Sequence, residues 1–239
     1  EEFNRQLTGR IADYHFAPTK GSKENLLQER TDEKSILVTG NTVIDALLFG
    51  IDKVTSTGYS DAEIEMLTSK VDLSKKIILV TGHRRANHGE GLMNICTALK
   101  NVAEAYPNTQ IIYPVHLNPN VKGPVHELLA GVANILLVPP LAYPAFIWLM
   151  EKSYLIITDS GGIQEEAPSL GKPVLVTRTT TERPEAVAEG TVLLVGTDIE
   201  EITSKTKQLL DDETYYASMS ELHNPYGDGK SVARIVDFI

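Results

Sequence analysis

The residues of this chain best placed to do chemistry stand at Asp159-Ser160-Gly161-Gly162, between the apolar run Tyr154-Leu155-Ile156-Ile157 and a helix-forming stretch that contains Gln164, Glu165 and Glu166. The apolar run reads as a strand buried on both faces. Two glycines let the backbone turn sharply and approach a ligand closely, and the helix that follows starts with N–H groups lacking intrahelical partners. A strand-to-helix turn of this kind suits a phosphate, with Ser160 capping the helix and offering its hydroxyl. The same arrangement is also a plain tight connection in α/β proteins. Two carboxylates so near would repel a phosphate unless they face another part of the ligand. That favours a composite ligand, with phosphate on the amides and sugar hydroxyls on Glu166.

Other polar residues gather at equivalent places, just after predicted strands. His83, Arg84 and Arg85 follow 77–80; His116 and Asn118 follow 111–115; Arg178, Thr180, Glu182 and Arg183 follow 174–176. In an open parallel sheet these positions share one rim, where ligands bind. Converging arginines neutralise a diphosphate, and a histidine among them can move protons near neutral pH. Each residue alone reads as an ordinary loop side chain; their common rim is what carries the inference.

The elements that must position them alternate. Helical composition over 4–13 leads to a strand at 14–17, a helix over 23–29 with Ser22 as its N-cap, and a strand at 35–39. Helices follow over 42–53 and over 61–70, the second introduced by the capping-box pattern Ser60-Asp61-Ala62-Glu63. From residue 77 the rhythm is regular, with strands at 77–80, 110–115, 134–138, 154–157, 174–176 and 192–195. Helices are expected over 90–105, 121–129, 143–151, after Gly162 and over 198–211. Such alternation gives right-handed crossovers and a doubly wound parallel sheet of Rossmann-like type. Asn224-Pro225-Tyr226-Gly227-Asp228-Gly229 reads, on its chemistry alone, as a tight surface loop.

Composition narrows the classes of function. With 239 residues, 42% of them hydrophobic, the chain can bury a sizeable core, and a net charge of −10 argues against nucleic acid as a partner. One cysteine, Cys96, precludes an intramolecular disulfide and fits a reducing compartment, so the chain reads as cytoplasmic. No apolar run is long enough for membrane insertion. The six histidines lack metal spacing, His83 and His88 included, so no metal is expected. Ser160 lacks the Gly-x-Ser-x-Gly elbow, and no nucleotide-triphosphate loop is present.

Longer blocks then carry a resemblance. His15-Phe16-Ala17-Pro18-Thr19, Thr39-Gly40-Asn41-Thr42-Val43-Ile44-Asp45, Val80-Thr81-Gly82-His83-Arg84-Arg85, Tyr113-Pro114-Val115-His116-Leu117-Asn118-Pro119, residues 158–173, Thr181-Glu182-Arg183-Pro184-Glu185 and Asn224–Gly229 closely resemble the bacterial non-hydrolysing UDP-N-acetylglucosamine 2-epimerases. The resemblance runs through essentially the whole chain, in order. It implies a GT-B architecture and interconversion of UDP-N-acetylglucosamine and UDP-N-acetylmannosamine through elimination and re-addition of UDP, with 2-acetamidoglucal between them and no cofactor, neither NAD nor metal. It implies a homodimer and a role in cell-surface polysaccharide synthesis.

Carried over by position, the resemblance gives His83 as an active-site histidine assisting the leaving diphosphate and Glu1 as a catalytic carboxylate. Ser160, Gly161 and Gly162 match the diphosphate turn, Glu166 the ribose contact, Arg183 a further nucleotide contact and Phe146 the uracil side. Leu141 stands where some relatives carry Gln, which leaves uracil to backbone groups there. Arg84 and His116 match contacts to a second, activating substrate molecule. Relatives supply a preceding strand, a Gly-Thr-Arg-Pro-Glu turn and further acids, none of which is in these 239 residues. The expected organisation is therefore 1–40 as a remnant of a first Rossmann-like domain, 41–228 as the UDP-binding domain and 229–239 as a tail returning to the first. Such a chain is expected to hold UDP without turnover. A non-catalytic UDP-sugar-binding module and a hydrolysing epimerase releasing N-acetylmannosamine are the alternatives.

Overall fold

The structure, a computed structural model, describes residues 2–239. The chain forms two compact units, one running to Leu48 and taking in Asn224–Ile239, the other Phe49–His223.

The smaller unit opens with helix α1 (Glu2–Ile11), then β1 (His15–Ala17), α2 (Lys20–Gln28) and β2 (Ile36–Val38), and the division falls inside α3 (Thr42–Val54). β1 and β2 pair in parallel, with Phe16 opposite Leu37. The N-cap of α2 is Thr19, not the expected Ser22: Thr19 Oγ1 accepts from the Ser22 amide at 3.0 Å. Helix formation starts three residues earlier because Thr19 satisfies that amide. After β2 the backbone turns at Gly40, whose φ is +87° and whose missing Cβ would lie 2.6 Å from Ser231 Oγ and 3.2 Å from the Gly227 Cα. Only glycine fits there. Asn41 N–H donates to Tyr226 O at 2.7 Å, and Asn224 and Tyr226 are buried, so 224–229 is a packed loop rather than the expected surface turn. Its glycines let the backbone come close to Gly40. Asp45 accepts from the amides of Ser231 and Val232, capping the C-terminal helix (Ser231–Phe238), where only a returning tail was expected.

The larger unit is a six-stranded parallel sheet. After α4 (Ala62–Thr68) come β3 (Lys76–Thr81), α5 (Glu90–Ala105), β4 (Thr109–Pro114), α6 (Pro119–Leu129), β5 (Ile135–Val138) and α7 (Tyr143–Lys152). Then follow β6 (Leu155–Thr158), α8 (Gly161–Glu166), β7 (Val174–Val176), α9 (Pro184–Ala188), β8 (Val192–Leu194), α10 (Ile199–Asp211) and α11 (Glu213–Ser220). The cap of α4 is Asp61, whose carboxylate accepts from the amides of Glu63 and Ile64. Ser60 instead donates to Glu65, so the capping box expected from Ser60 and Glu63 does not form. A carboxylate one residue on is the stronger acceptor for the helix end.

Strand order is β5-β4-β3-β6-β7-β8, every pairing parallel. This is the doubly wound, Rossmann-like order, and the chain reverses its direction of growth between β3 and β6. Alternate strand residues explain why both faces are apolar. Ile78, Val80, Ile111, Tyr113, Leu155 and Ile157 join one core with Leu99, Val125 and Leu209 from α5, α6 and α10. Ile77, Leu79, Ile112 and Ile156 are equally buried, and α7 packs against β3. At Gly50 a Cβ would meet Ile147 Cδ1 at 2.6 Å, so α3 and α7 approach as closely as glycine allows. The crevice between the ends of β3 and β6 is therefore fixed by a rigid, two-faced core.

Candidate functional site

A cleft of about 380 Å³ opens at this switch point. Thr81, Gly82 and His83 line it from the end of β3, His116 from the end of β4, and Ser160, Gly162 and Glu166 from the turn and helix after β6. Leu141, Tyr143 and Phe146 close its apolar side.

The turn after β6 is built from its own side chains. Ser160 stands at the N-cap of α8 in extended conformation and its hydroxyl makes no capping bond. The expected cap is absent; instead the Ser160 amide donates to Thr158 Oγ1 at 3.0 Å, and Gln164 Nε2 donates to Ser160 O at 3.0 Å. Gln164, fully buried, accepts from Thr181 Oγ1 at 2.6 Å. It thereby ties the turn to the loop after β7. That loop carries Arg183, whose Nε donates to Glu165 and whose Nη1 donates to Glu182 O.

Two guanidinium groups reach the turn. A Cβ on Gly161 would lie 3.8 Å from Arg84 Nη2 and 3.9 Å from Arg183 Nη2. A side chain at 161 would occupy the space between these cations and the backbone, which is where an anion bridging amides and arginines would lie. Arg178, counted at sequence level among the converging arginines, turns away into a bidentate pair with Glu182 at 2.8 and 2.7 Å. Arg178 holds the Glu182 carboxyl well below the ordinary range, at about 2. Arg84 Nη1 lies 3.9 Å from Glu182.

The two carboxylates that follow the turn, Glu165 and Glu166, are each accounted for. Glu165 is paired with Arg183. Glu166, 7% exposed, accepts from Tyr143 Oη at 2.9 Å, and burial raises its pKa, with the Tyr143 hydrogen bond opposing and Glu165 adding to the rise. Burial also pushes the Tyr143 phenol upward. Glu166 thus faces the Tyr143 side of the cleft rather than the arginines, and the repulsion expected from sequence is relieved. Tyr143 was not singled out from sequence; its place at the start of a helix, beside the apolar Leu141 and Phe146, carries no chemical signal until β6 and α7 are brought together.

His83 is half-exposed and stacks on His116, with ring centroids 5.7 Å apart and planes at 20°. His116 Nδ1 accepts from the Asn118 amide at 3.1 Å, which places its own proton on Nε2. His83 and His116, read separately as a catalytic and an activator contact, therefore line one cleft. Among the described residues no group of His, Cys, Asp and Glu has the arrangement of a metal site, and no helix is long and apolar enough to cross a membrane. Cys96 is buried, and burial pushes its thiol up to about 12. Glu1, the remaining expected catalytic residue, lies outside the described residues.

The family whose sequence model is described as UDP-N-acetylglucosamine 2-epimerase matches residues 1–239. The UDP-N-acetylglucosamine 2-epimerase of Yersinia pestis is 57% identical over 236 residues, which are 99% of this chain and 63% of that protein. The Escherichia coli K12 protein of the same name is 54% identical over 237 residues, again 63% of its length. Among solved structures, the Neisseria meningitidis UDP-GlcNAc 2-epimerase bound to UDP-GlcNAc superposes with a TM-score of 0.90 at 48% identity, covering all of this chain and 64% of that one. The S. aureus MnaA–UDP co-structure gives 0.88 at 44% identity, with 62% of that chain covered. This chain thus spans a little under two thirds of the length of these relatives. Matched from end to end and folded as its relatives fold, the chain belongs to the UDP-N-acetylglucosamine 2-epimerase family.

Proposed function

We propose that these 239 residues hold the UDP part of UDP-N-acetylglucosamine for a non-hydrolysing 2-epimerase. The observation that carries this is the approach of Arg84 and Arg183 to within 4 Å of a Cβ position on Gly161, at the topological switch point of the sheet. The diphosphate takes the Ser160-Gly161-Gly162 turn and the two arginines. Glu166 accepts from the ribose hydroxyls, and Phe146 with Leu141 covers the uracil. His83 faces the leaving oxygen. In the reaction the C2 proton is removed and UDP leaves C1, giving 2-acetamidoglucal; re-addition of UDP with protonation at C2 from the other face gives the epimer. Retaining both fragments matters, since either one escaping ends the cycle.

The stacking of His116 on His83 supports a second role for this rim, contact of Arg84 and His116 with an activating substrate molecule. A cytoplasmic homodimer serving polysaccharide synthesis completes the reading. The smaller unit is the counterpart of the family's first domain in part only, and the Gly-Thr-Arg-Pro-Glu turn and its acids are not in this sequence. The chain as it stands is therefore expected to bind without turnover.

Titration calorimetry with UDP, beside proton NMR of UDP-N-acetylglucosamine mixed with the same chain, tests the proposal. Binding without epimerisation is the expected result. Absence of UDP binding would sink the site assignment, and epimerisation would show that acids outside this sequence are dispensable. In a longer chain that turns over, His83→Ala is expected to lower kcat strongly with little change in UDP affinity.

A further inference from the structure

Asp159, directly after β6, is only 1% exposed, and its two oxygens live differently. Oδ2 accepts three hydrogen bonds: from the His83 amide at 3.0 Å, the Arg84 amide at 2.8 Å and Asn87 Nδ2 at 3.3 Å. Asn87 is itself buried and is held by a second bond to Thr177 O at 3.1 Å. Oδ1 is buried with no hydrogen-bond partner, and His83 Nδ1 lies 3.6 Å from it, while Tyr113 and Arg178 also feel the charge of this carboxylate. A buried oxygen left in this way calls for a donor. Gly82 keeps the approach open, for a Cβ there would meet Tyr113 Oη at 2.9 Å and Asp159 Oδ2 at 3.8 Å.

We propose that Asp159 is the positioning residue of His83. Its Oδ2 fixes the backbone that carries the histidine, and its Oδ1 accepts the Nδ1 proton, so that Nε2 is the nitrogen left to give and take a proton in the cleft. At 3.6 Å the carboxylate already favours the Nδ1–H tautomer in the free protein, and the contact tightens to a hydrogen bond when ligand closes on the ring. The role of the proton at Nε2 rests on His83 facing the diphosphate as proposed above; the tautomer itself does not.

The three donors on Oδ2 make a sharp test possible. In Asp159→Asn the amide oxygen must take the Oδ2 place, because only an oxygen can accept from all three donors there. The amide NH₂ then stands where Oδ1 was, aimed at His83 Nδ1, and reverses the preferred tautomer, as the same exchange does in serine-protease triads. The measurement is long-range proton–nitrogen NMR of the full 239-residue chain labelled with nitrogen-15 in histidine, His83 being assigned by its loss in His83→Gln, at a pH where the ring is neutral. Expected are a protonated Nδ1 and unprotonated Nε2 in the wild type, and an exchange of these two nitrogen signatures in Asp159→Asn. A merely structural carboxylate would leave the tautomer unmoved. A wild-type His83 with its proton on Nε2, or a folded Asp159→Asn with Nδ1 still protonated, overturns the proposal. If Asp159→Asn does not fold, the wild-type spectrum decides alone. Failure of UDP to bind would count against the site reading and leave the tautomer result standing.

Discussion

The two units solve the problem of burial in different ways. In the larger one, strands are covered on both faces, and Ile78, Leu79, Ile111, Ile112, Leu155 and Ile156 are all essentially inaccessible. In the smaller one, helix α1 buries no residue, and Phe3, Leu7 and Ile11 stand 71%, 50% and 82% exposed. The C-terminal helix leaves Val232, Val236 and Ile239 in the same state. Charges follow the same division. The ion pairs of the smaller unit, such as Arg5 with Glu2 and Arg234 with Asp228, involve exposed side chains, which contribute little. The larger unit buries Asp159, Glu165 and Glu166 at the end of its sheet, where each has partners. A self-sufficient core can hold charges out of water at a site; two three-residue strands cannot.

The largest effect expected from this contrast is on stability. Leu99→Ala, inside the larger core, should cost about 2–5 kcal/mol. Leu7→Ala in α1 should stay within about 0.5 kcal/mol. Urea unfolding followed by the fluorescence of Trp148, the single tryptophan and buried in α7, reports on the larger unit for the first variant. Comparable losses from both would break the comparison. Next in size is Gly40→Ala, where a positive φ and a Cβ 2.6 Å from Ser231 Oγ should cost about 1–3 kcal/mol in the smaller unit. Its reporter is hydrogen exchange at the Asn41 amide, which donates to Tyr226 O. Faster exchange there with an unchanged Trp148 transition would show that the units lose structure separately.

The larger unit was also the more legible in sequence, for a physical reason. Runs such as Ile77-Ile78-Leu79-Val80 are apolar on both faces only because helices cover both, so composition alone marks them as parallel strands. The rim residues followed, since the ends of parallel strands must carry them. What remained hidden depended on contacts distant in sequence. Asp159 receives its donors from residues 72–76 positions away, and Tyr143 meets Glu166 across 23. The choice of Asp61 over Ser60 as a cap, the pairing of Arg178 with Glu182, and the free choice Ser160 leaves its hydroxyl were settled by competition between neighbouring acceptors. In the smaller unit, the C-terminal helix is amphipathic but only eight residues long, shorter than the window over which a helical period can be read from sequence.

The smallest effect is the one that tests how the larger unit holds a buried charge. Burial raises the Glu166 value, so the folded protein takes up that proton at a higher pH than the unfolded chain does. The sign for stability follows: protonation of Glu166 adds stability as the pH falls and this gain is lost as the pH rises through the folded value. Binding runs the other way, because an ionised carboxylate accepts from ribose hydroxyls more strongly than the protonated acid does. Uridine has no phosphate to titrate, so its affinity isolates the ribose contact from the arginines. Between pH 7.5 and pH 5 the wild type should lose affinity for uridine by less than about ten-fold, roughly 1.4 kcal/mol at most. Glu166→Gln should bind more weakly at pH 7.5 and lose this part of the pH dependence, whatever His83 and His116 add in both proteins. Equal pH profiles for the two would mean that Glu166 does not face the ribose, and that the larger unit buries its charge for Tyr143 alone.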